Sequence, residues 1–273
     1  MRHDRGTPLS RRSVWAAQGV TIAGLILYVL AVRLLAPGLQ AGGSAAGILL
    51  ALVPVLLWLL LFYVQDAREP EPLSYVLRVA AAGAVLAGAV AIPILRQFSR
   101  TSWLAAGPIT ELLLSILVVG SLQEFCKYLA VRFTVFESDE FDEVADGVTY
   151  GTAAGLGLAT MVNLTFILDS PSIAPVPAAL HIVVISLSHA ASGGVLGYFL
   201  GRAKMLGEDR RVVWGFVAAV VLNGVIAYAL REVTRAGLAY RPWNGLALAA
   251  AVAATVTFVL FRMVRPSAAQ PSA

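Results

Sequence analysis

Long uninterrupted apolar runs recur along the chain, and they constrain its fold more than any other feature. A run of about 18 residues or more, if helical, spans the roughly 30 Å hydrocarbon core of a bilayer. Strands could cross only as a closed barrel, in which apolar and polar residues alternate, and these runs do not alternate. The 273 residues are 59% hydrophobic and only 13% charged, well below the charged fraction of about 25% in soluble domains. The sequence therefore predicts an all-α polytopic membrane bundle.

Eight transmembrane helices are predicted, within a single membrane domain that covers residues 14–264. The predicted spans are about 14–35, 46–64, 79–95, 109–131, 148–167, 178–200, 212–230 and 245–264. Residues 1–13 form a basic N-terminus, and the first span is expected to remain as a signal anchor, because no clear small-residue cleavage site ends it. Residues 265–273 are expected to be a disordered tail.

The placement of basic residues predicts the orientation and the environment. If the N-terminus is cytoplasmic, most of the 20 lysines and arginines flank the cytoplasmic ends of the spans. This excess predicts that both termini lie in the cytoplasm. Basic residues that flank hydrophobic spans serve anchoring and orientation, so the predicted partner is the lipid bilayer and no nucleic acid is expected.

Two rows of glycines recur at every fourth residue, one in the fifth predicted span and one in the sixth. They are Gly147, Gly151 and Gly155, and Gly193, Gly197 and Gly201. On a helix this spacing makes a smooth stripe that another backbone can approach closely. The rows predict tight helix packing, which would also fix the polar side chains nearby.

Charged and polar residues inside the spans need an explanation, because a charge at the bilayer centre costs about 2.5–3.5 kcal/mol on insertion scales. Glu124 and Lys127 are three residues apart in the fourth span, a spacing that predicts an ion pair. A pair at the helix end, with the lysine reaching the surface, is the structural alternative. With Asn163, His189 and Asn223 of the next three spans, they predict a polar cluster among helices four to seven. A lone buried histidine is more often structural than a ligand, so both roles stay open for His189.

An acidic connection, residues 137–143, separates the fourth and fifth spans on the predicted cytoplasmic side. Its charges repel one another, so it is expected to be a solvated connection; a docking site for a basic partner or a cation is the alternative. Asp146 follows it at the start of the fifth span, where an acidic residue stabilises the helix dipole.

Six segments between about residues 62 and 230 carry motifs in a fixed order. Three of them contain their motif: Asp66–Pro72 contains Pro-Glu-Pro, Asp146–Gly157 contains Asp-Gly-x-x-Tyr-Gly, and His189–Gly197 is a histidine followed by small residues. The other three match their motif in part: Gln123–Lys127 matches Glu-Glu-x-x-Lys, Val162–Asn163 matches Glu-Asn, and Asn223–Ala227 matches His-Gly-x-x-Asn. Together they resemble the PrsW family of bacterial intramembrane proteases, relatives of the CAAX-processing and bacteriocin-processing enzymes. The resemblance implies a location in the bacterial cytoplasmic (inner) membrane.

The same resemblance implies a peptidase with a divalent metal, in which the first carboxylate of Glu-Glu activates water and groups from other helices complete the site. The chain departs from the family where the chemistry would lie, at Gln123, Val162, Asn223 and Ala227. An amide is neither a general base nor a good metal ligand. The family residues that remain are Glu124, Lys127, Asn163 and His189. Since a hydrolytic metal site usually needs three His, Asp, Glu or Cys ligands, the implied site is expected to be incomplete.

Three functional hypotheses follow, and whether the chain is an enzyme stays open among them. The favoured one is a PrsW-like protein with weakened or lost peptidase activity that binds or regulates membrane proteins, with their transmembrane helices as partners. The second is an active peptidase that cleaves single-span substrates, with Glu124 as base and His189 as its partner. The third is a small transporter, which is disfavoured because the sequence has no repeated halves.

Overall fold

The structure is a computed structural model, and it describes residues 23–24, 27–35, 41, 45–65, 71–99, 107–235, 247, 251 and 254–255. For residues 58–65 and 233–235 it describes the backbone alone. The basic N-terminus, half of the first predicted span, most of the eighth and the C-terminal tail lie outside this part of the chain.

Seven helices have long continuous described stretches, and we number them in chain order. They are α1 (27–35), α2 (Ala45–Gln65), α3 (Leu73–Ser99), α4 (Pro108–Thr134), α5 (Val144–Asp169), α6 (Pro175–Leu206) and α7 (Asp209–Arg235). Each of α2 to α7 overlaps its predicted span and extends beyond it at both ends. No strand occurs within the described ranges, so the predicted all-α membrane bundle is confirmed.

Five of these helices, α3 to α7, are long and apolar enough to cross a membrane. Helix α2 has 21 residues and contains Pro54. Residues of the first predicted span are helical where they are described. The total of eight spans therefore stays a prediction, while the polytopic membrane architecture does not depend on it.

Helix boundaries follow the local chemistry of the chain. Pro108 and Pro175 stand in the first turns of α4 and α6, where their missing N–H groups would have no helical acceptor. Helix α5 begins with a capping box, in which the Asp146 carboxylate accepts hydrogen bonds from the backbone N–H of Glu143 at 2.5 Å and of Asp142 at 2.9 Å. The predicted role of Asp146 at a helix N-terminus is thus confirmed.

The corner between α6 and α7 turns on Gly207, which has a φ of 65° and ends α6 in the left-handed conformation. Beside it, the Arg202 guanidinium donates two hydrogen bonds to the Glu208 carboxylate, at 2.5 and 2.8 Å. These hydrogen bonds lower the pKa of Glu208. The pair joins the last turns of α6 to the connection before α7, at the end of the bundle that is predicted to be cytoplasmic.

Helices α5 and α6 form the most extensive interface of the bundle, and the two glycine rows meet there. A Cβ atom on Gly151 would lie 2.2 Å from the carbonyl oxygen of Gly193, and one on Gly155 would lie 2.1 Å from that of His189. Real Cβ atoms do not approach so closely, so only glycine lets the backbones touch. The predicted tight packing of the two rows is confirmed.

Further close contacts arrange the other helices around this pair. A Cβ on Gly157 of α5 would lie 1.8 Å from the carbonyl oxygen of Ala80 in α3. Between α4 and α7, a Cβ on Gly120 would lie 2.5 Å from the carbonyl oxygen of Val220, and one on Gly224 would lie 2.4 Å from the Cα of Ile116. Helix α6 is the most buried of the spanning helices, so its side chains face neighbours from several sides.

Enlarging Gly151 should separate α5 from α6. We expect Gly151→Ala to destabilise the fold by about 1–3 kcal/mol, because the new methyl group must displace the Gly193 carbonyl. Loss of helical circular dichroism on heating in detergent measures the effect. Gly24→Ala is the matched control, since a Cβ there meets no atom within 4 Å. Equal unfolding temperatures for both variants would contradict the contact.

Candidate functional site

The segment that carries Gln123 and Glu124 follows an irregular stretch of α4. Residues Ser115–Gly120 form π-helical turns, which add residues to the turn and rotate the chain beyond them. Immediately afterwards Gly120 lies against the backbone of α7. The rotation and the close approach together direct Gln123 and Glu124 towards α7.

Glu124 and Lys127 form a fully buried ion pair. Lys127 Nζ lies 2.5 Å from Glu124 Oε1, and both side chains are 0% exposed. The predicted pair of the fourth helix is therefore present. Because Lys127 is completely enclosed, the alternative in which it snorkels to the surface is excluded. Leaving either charge unpaired in such a place is costly, so each side chain stabilises the charged form of the other.

Asn223 of α7 joins this pair from the other side. Its Nδ2 atom donates a hydrogen bond of 2.8 Å to Glu124 Oε1 and one of 3.1 Å to Gln123 Oε1. An amide nitrogen carries two hydrogens, and both are used in these contacts. Two positions that depart from the family motifs, Gln123 and Asn223, are thus bonded directly to each other.

Ser192 of α6 completes the group, which we call the Glu124 cluster: Gln123, Glu124, Lys127, Ser192 and Asn223. Lys127 Nζ donates to Ser192 Oγ over 2.6 Å, and the Ser192 hydroxyl in turn donates to the His189 carbonyl oxygen over 3.4 Å. The sequence analysis missed Ser192 as a site residue. Its position three residues after His189, on the same face of a helix, was the available signal.

His189 lies one turn before Ser192 on α6, with 4% of its surface exposed. Its Nδ1 atom is buried and has no hydrogen-bond partner, and the same holds for Glu124 Oε2. Buried polar atoms are nearly always paired, so these two atoms are available for a small polar group such as a water molecule.

Asn163 takes part in a different contact. Its Nδ2 atom donates to Ser186 Oγ over 3.2 Å and to the Ile182 carbonyl oxygen over 3.4 Å, which joins α5 to α6. Asn163 Oδ1 is buried without a partner. The structure thus brings Glu124, Lys127 and Asn223 together in one hydrogen-bond network, and it binds Asn163 to Ser186 outside that network.

The other two family positions carry no polar side chain. Val162 is half-buried and packs against an apolar cluster that contains Cys126 and Leu158. Ala227 is half-buried on α7, one turn after Asn223. A cavity of about 420 Å³ lies between α3 and α5, and none of the Glu124 cluster residues lines it.

Comparison with known proteins identifies the family of this chain. A family described as "PrsW family intramembrane metalloprotease" matches residues 71–264, a range that includes the whole Glu124 cluster. The chain belongs to the PrsW family of intramembrane proteases. The family resemblance drawn from the motifs is therefore confirmed.

Curated relatives support the assignment. Protease PrsW of Geobacillus kaustophilus is 34% identical over 178 residues, which are 64% of this chain and 76% of the relative. Protease PrsW of Bacillus subtilis is 29% identical over 161 residues, 59% of this chain and 70% of the relative. Protease PrsW of Clostridioides difficile is 26% identical over 187 residues, 67% of this chain and 78% of the relative. No solved structure matches the chain.

The PrsW family description implies a metal, and the side chains of the described residues do not complete a hydrolytic metal site. Glu124 Oε2 and His189 Nδ1 are buried without hydrogen-bond partners and belong to side chains that can bind a metal. Within the described ranges, no three His, Cys, Asp or Glu side chains form a group that could hold a metal ion. Gln123 and Asn223 offer amides that are bonded to each other, and a hydrolytic metal site usually needs three stronger ligands.

Two further polar contacts lie towards the ends of this PrsW-family bundle, and the sequence analysis missed both. At the end where α5 begins, the Tyr150 hydroxyl donates to the Glu71 carboxylate, which joins the Pro-Glu-Pro loop to the Asp-Gly-x-x-Tyr segment. At the opposite end, Arg231 of α7 donates over 2.9 Å to Glu111 of α4, which is 2% exposed. Both contacts join residues far apart in sequence, which is why spacing alone did not reveal them.

Removing the lysine of the buried pair should cost more than removing both charges. We expect Lys127→Met to destabilise the protein by about 3–5 kcal/mol, because it leaves Glu124 as an uncompensated buried charge. The double variant Glu124→Gln/Lys127→Met should recover much of that loss. Unfolding of purified protein in detergent measures the difference.

Arg96→Met is the matched control, because Arg96 belongs to an ion pair with Asp169 whose side chains are 54% and 59% exposed. Water screens such a pair, so the unfolding temperature should change little. A double variant that is less stable than Lys127→Met alone would contradict the pairing.

Proposed function

We propose that this PrsW-family protein has weakened or lost peptidase activity and that it binds transmembrane helices of other membrane proteins. In this proposal the bundle lies in the bacterial cytoplasmic membrane with both termini in the cytoplasm. The excess of basic residues at that face supports the orientation. Five apolar helices long enough to span support the location in a bilayer.

The observation that carries the proposal is the engagement of the Glu124 carboxylate. Its Oε1 atom accepts hydrogen bonds from Lys127 at 2.5 Å and from Asn223 at 2.8 Å. A general base needs a lone pair that is free to take a proton from water, and the Oε1 atom is already engaged by two donors. The neighbouring Gln123 has no basic atom, since an amide oxygen is not protonated in the working range.

The scaffold argues for a retained binding role. The glycine contacts between α5 and α6, and between α4 and α7, are intact even where the reactive groups are substituted. A protein that keeps helix packing and loses reactive groups can still hold a helix against its surface. We therefore propose single-span membrane proteins as partners, and the relatives named Protease PrsW support a protein as the molecule that is bound.

A second candidate, an active peptidase, is favoured by one specific observation. Glu124 Oε2 and His189 Nδ1 are both buried without partners. If one water molecule bridges them, Glu124 could act as its base and His189 could stabilise or shuttle the proton. This candidate requires that the Lys127 ammonium moves away from the carboxylate during the reaction.

Cleavage assays in liposomes separate the two candidates. Single-span substrates that Protease PrsW of Geobacillus kaustophilus cleaves under the same conditions serve as the panel. We expect wild type, Glu124→Ala and His189→Ala to give the same background level of product on gels. Glu137→Ala, at an exposed carboxylate on the α4–α5 connection, is the control for the substitution itself.

Robust cleavage by wild type and by Glu137→Ala, lost in both site variants, would establish the peptidase and overturn the proposal. The binding role is measured separately, as retention of a labelled single-span peptide by the immobilised protein in detergent. Retention of the peptide without cleavage supports the proposal. If the protein neither retains nor cleaves the peptide, the proposed binding role is wrong.

A further inference from the structure

We infer that the Glu124 cluster is a metal-free site, in which the Lys127 ammonium and the Asn223 amide occupy the positions around the carboxylate that a divalent ion would need. The family description names a metalloprotease, so this is a difference between the chain and its family. The inference does not depend on loss of activity, because a metal-free peptidase is chemically conceivable.

The first argument is that two oxygen atoms that could coordinate a metal ion, Glu124 Oε1 and Gln123 Oε1, already accept hydrogen bonds. Glu124 Oε1 accepts two hydrogen bonds, and both hydrogens of Asn223 Nδ2 are donated, one to Glu124 and one to Gln123. A cation that bound Gln123 Oε1 or Glu124 Oε1 would have to displace these donors. Three helices would then lose the contacts that join them, since Lys127 also binds Ser192 of α6.

The second argument is the charge of the enclosed site. Glu124 and Lys127 are both 0% exposed and sum to zero. A divalent ion added to this pair would leave a net charge of about two in a region shielded from water, where even one uncompensated charge costs several kcal/mol. An ion could enter only if Lys127 lost its proton or moved away.

The third argument is the number of ligands. Glu124 Oε2 and His189 Nδ1 are buried without hydrogen-bond partners, and no group of three His, Cys, Asp or Glu side chains that could hold a metal ion occurs within the described ranges. Two ligands in a neutral site bind zinc weakly, whereas structural and catalytic zinc sites use three or four. The number of ligands and the charge of the site thus both disfavour a bound metal ion.

The first experiment measures metal content without any assay of activity. Purified full-length protein is incubated with Zn²⁺, exchanged into metal-free buffer and analysed by inductively coupled plasma mass spectrometry, beside Glu124→Gln and His189→Ala. We expect no zinc that depends on these two residues, and no shift of the unfolding temperature on adding Zn²⁺ or EDTA. About one equivalent in wild type that is lost in both variants would overturn the inference.

The second experiment restores the missing donors. In Gln123→Glu/Asn223→His, a carboxylate and an imidazole replace the amide contact, so with Glu124 and His189 the region carries four side chains of the types that bind zinc. We expect this double variant to bind about one equivalent of Zn²⁺ and to unfold at a higher temperature when Zn²⁺ is present. Adding His189→Ala to the double variant should lower both effects.

The single variants Gln123→Glu and Asn223→His are the matched controls, because each adds one donor only. We expect each to bind less zinc than the double variant. If either single variant or the wild type binds zinc as well as the double variant, the amide pair does not keep the metal out and the inference is wrong. If the double variant fails to fold, the wild-type measurement still decides.

The two proposals fail in different ways. Cleavage by wild type with no zinc dependent on Glu124 and His189 would overturn the loss of activity and leave the metal-free site intact. Zinc bound through Glu124 and His189 without cleavage would overturn the metal-free site and leave the loss of activity intact.

Discussion

The contact between the backbones of α5 and α6 is the constraint on which the rest of the bundle depends. Gly151 and Gly193 bring the two chains so near that any side chain between them would collide. In lipid there is no hydrophobic force to drive helices together, so close packing of this kind carries the association. It also fixes the height and rotation of α6, and thereby the places of His189 and Ser192. The glycine rows thus place Ser192, which accepts a hydrogen bond from Lys127, whereas the π-helical turns and Gly120 of α4 place the charged pair itself.

Helices α4 and α7 pack around this rigid pair and carry most of the buried polar side chains of the Glu124 cluster. The buried carboxylate, ammonium and two amides are joined by hydrogen bonds, and such networks in low dielectric are rigid. This rigidity supports the proposal of weakened or lost activity, because a reaction centre needs a group that is free to change its protonation. The two unpartnered atoms, on Glu124 and His189, are where the site still differs from an inert core.

Much of this could be predicted from the sequence because it depends on local spacing. The helices α2 to α7 follow from long apolar runs, and the glycine rows and the Glu124–Lys127 pair follow from residues three or four apart. The contact between Asn223 and Gln123 could not, because it joins residues 100 positions apart and depends on π-helical turns that have no sequence signature. Asn163 shows the same limit, since depth in the membrane suggested the cluster while rotation of α5 directs it to Ser186.

The three-residue separation of Glu124 and Lys127 also bears on how the protein is made. When α4 enters the membrane, Ser192 and Asn223 are still 65 and 99 positions further along the chain from their partners. A carboxylate and an ammonium on one turn can neutralise each other at once, so α4 need not wait in water for the later helices. Assembly can then proceed by insertion first and lateral association afterwards, with α6 and α7 closing around a charge pair that was already complete.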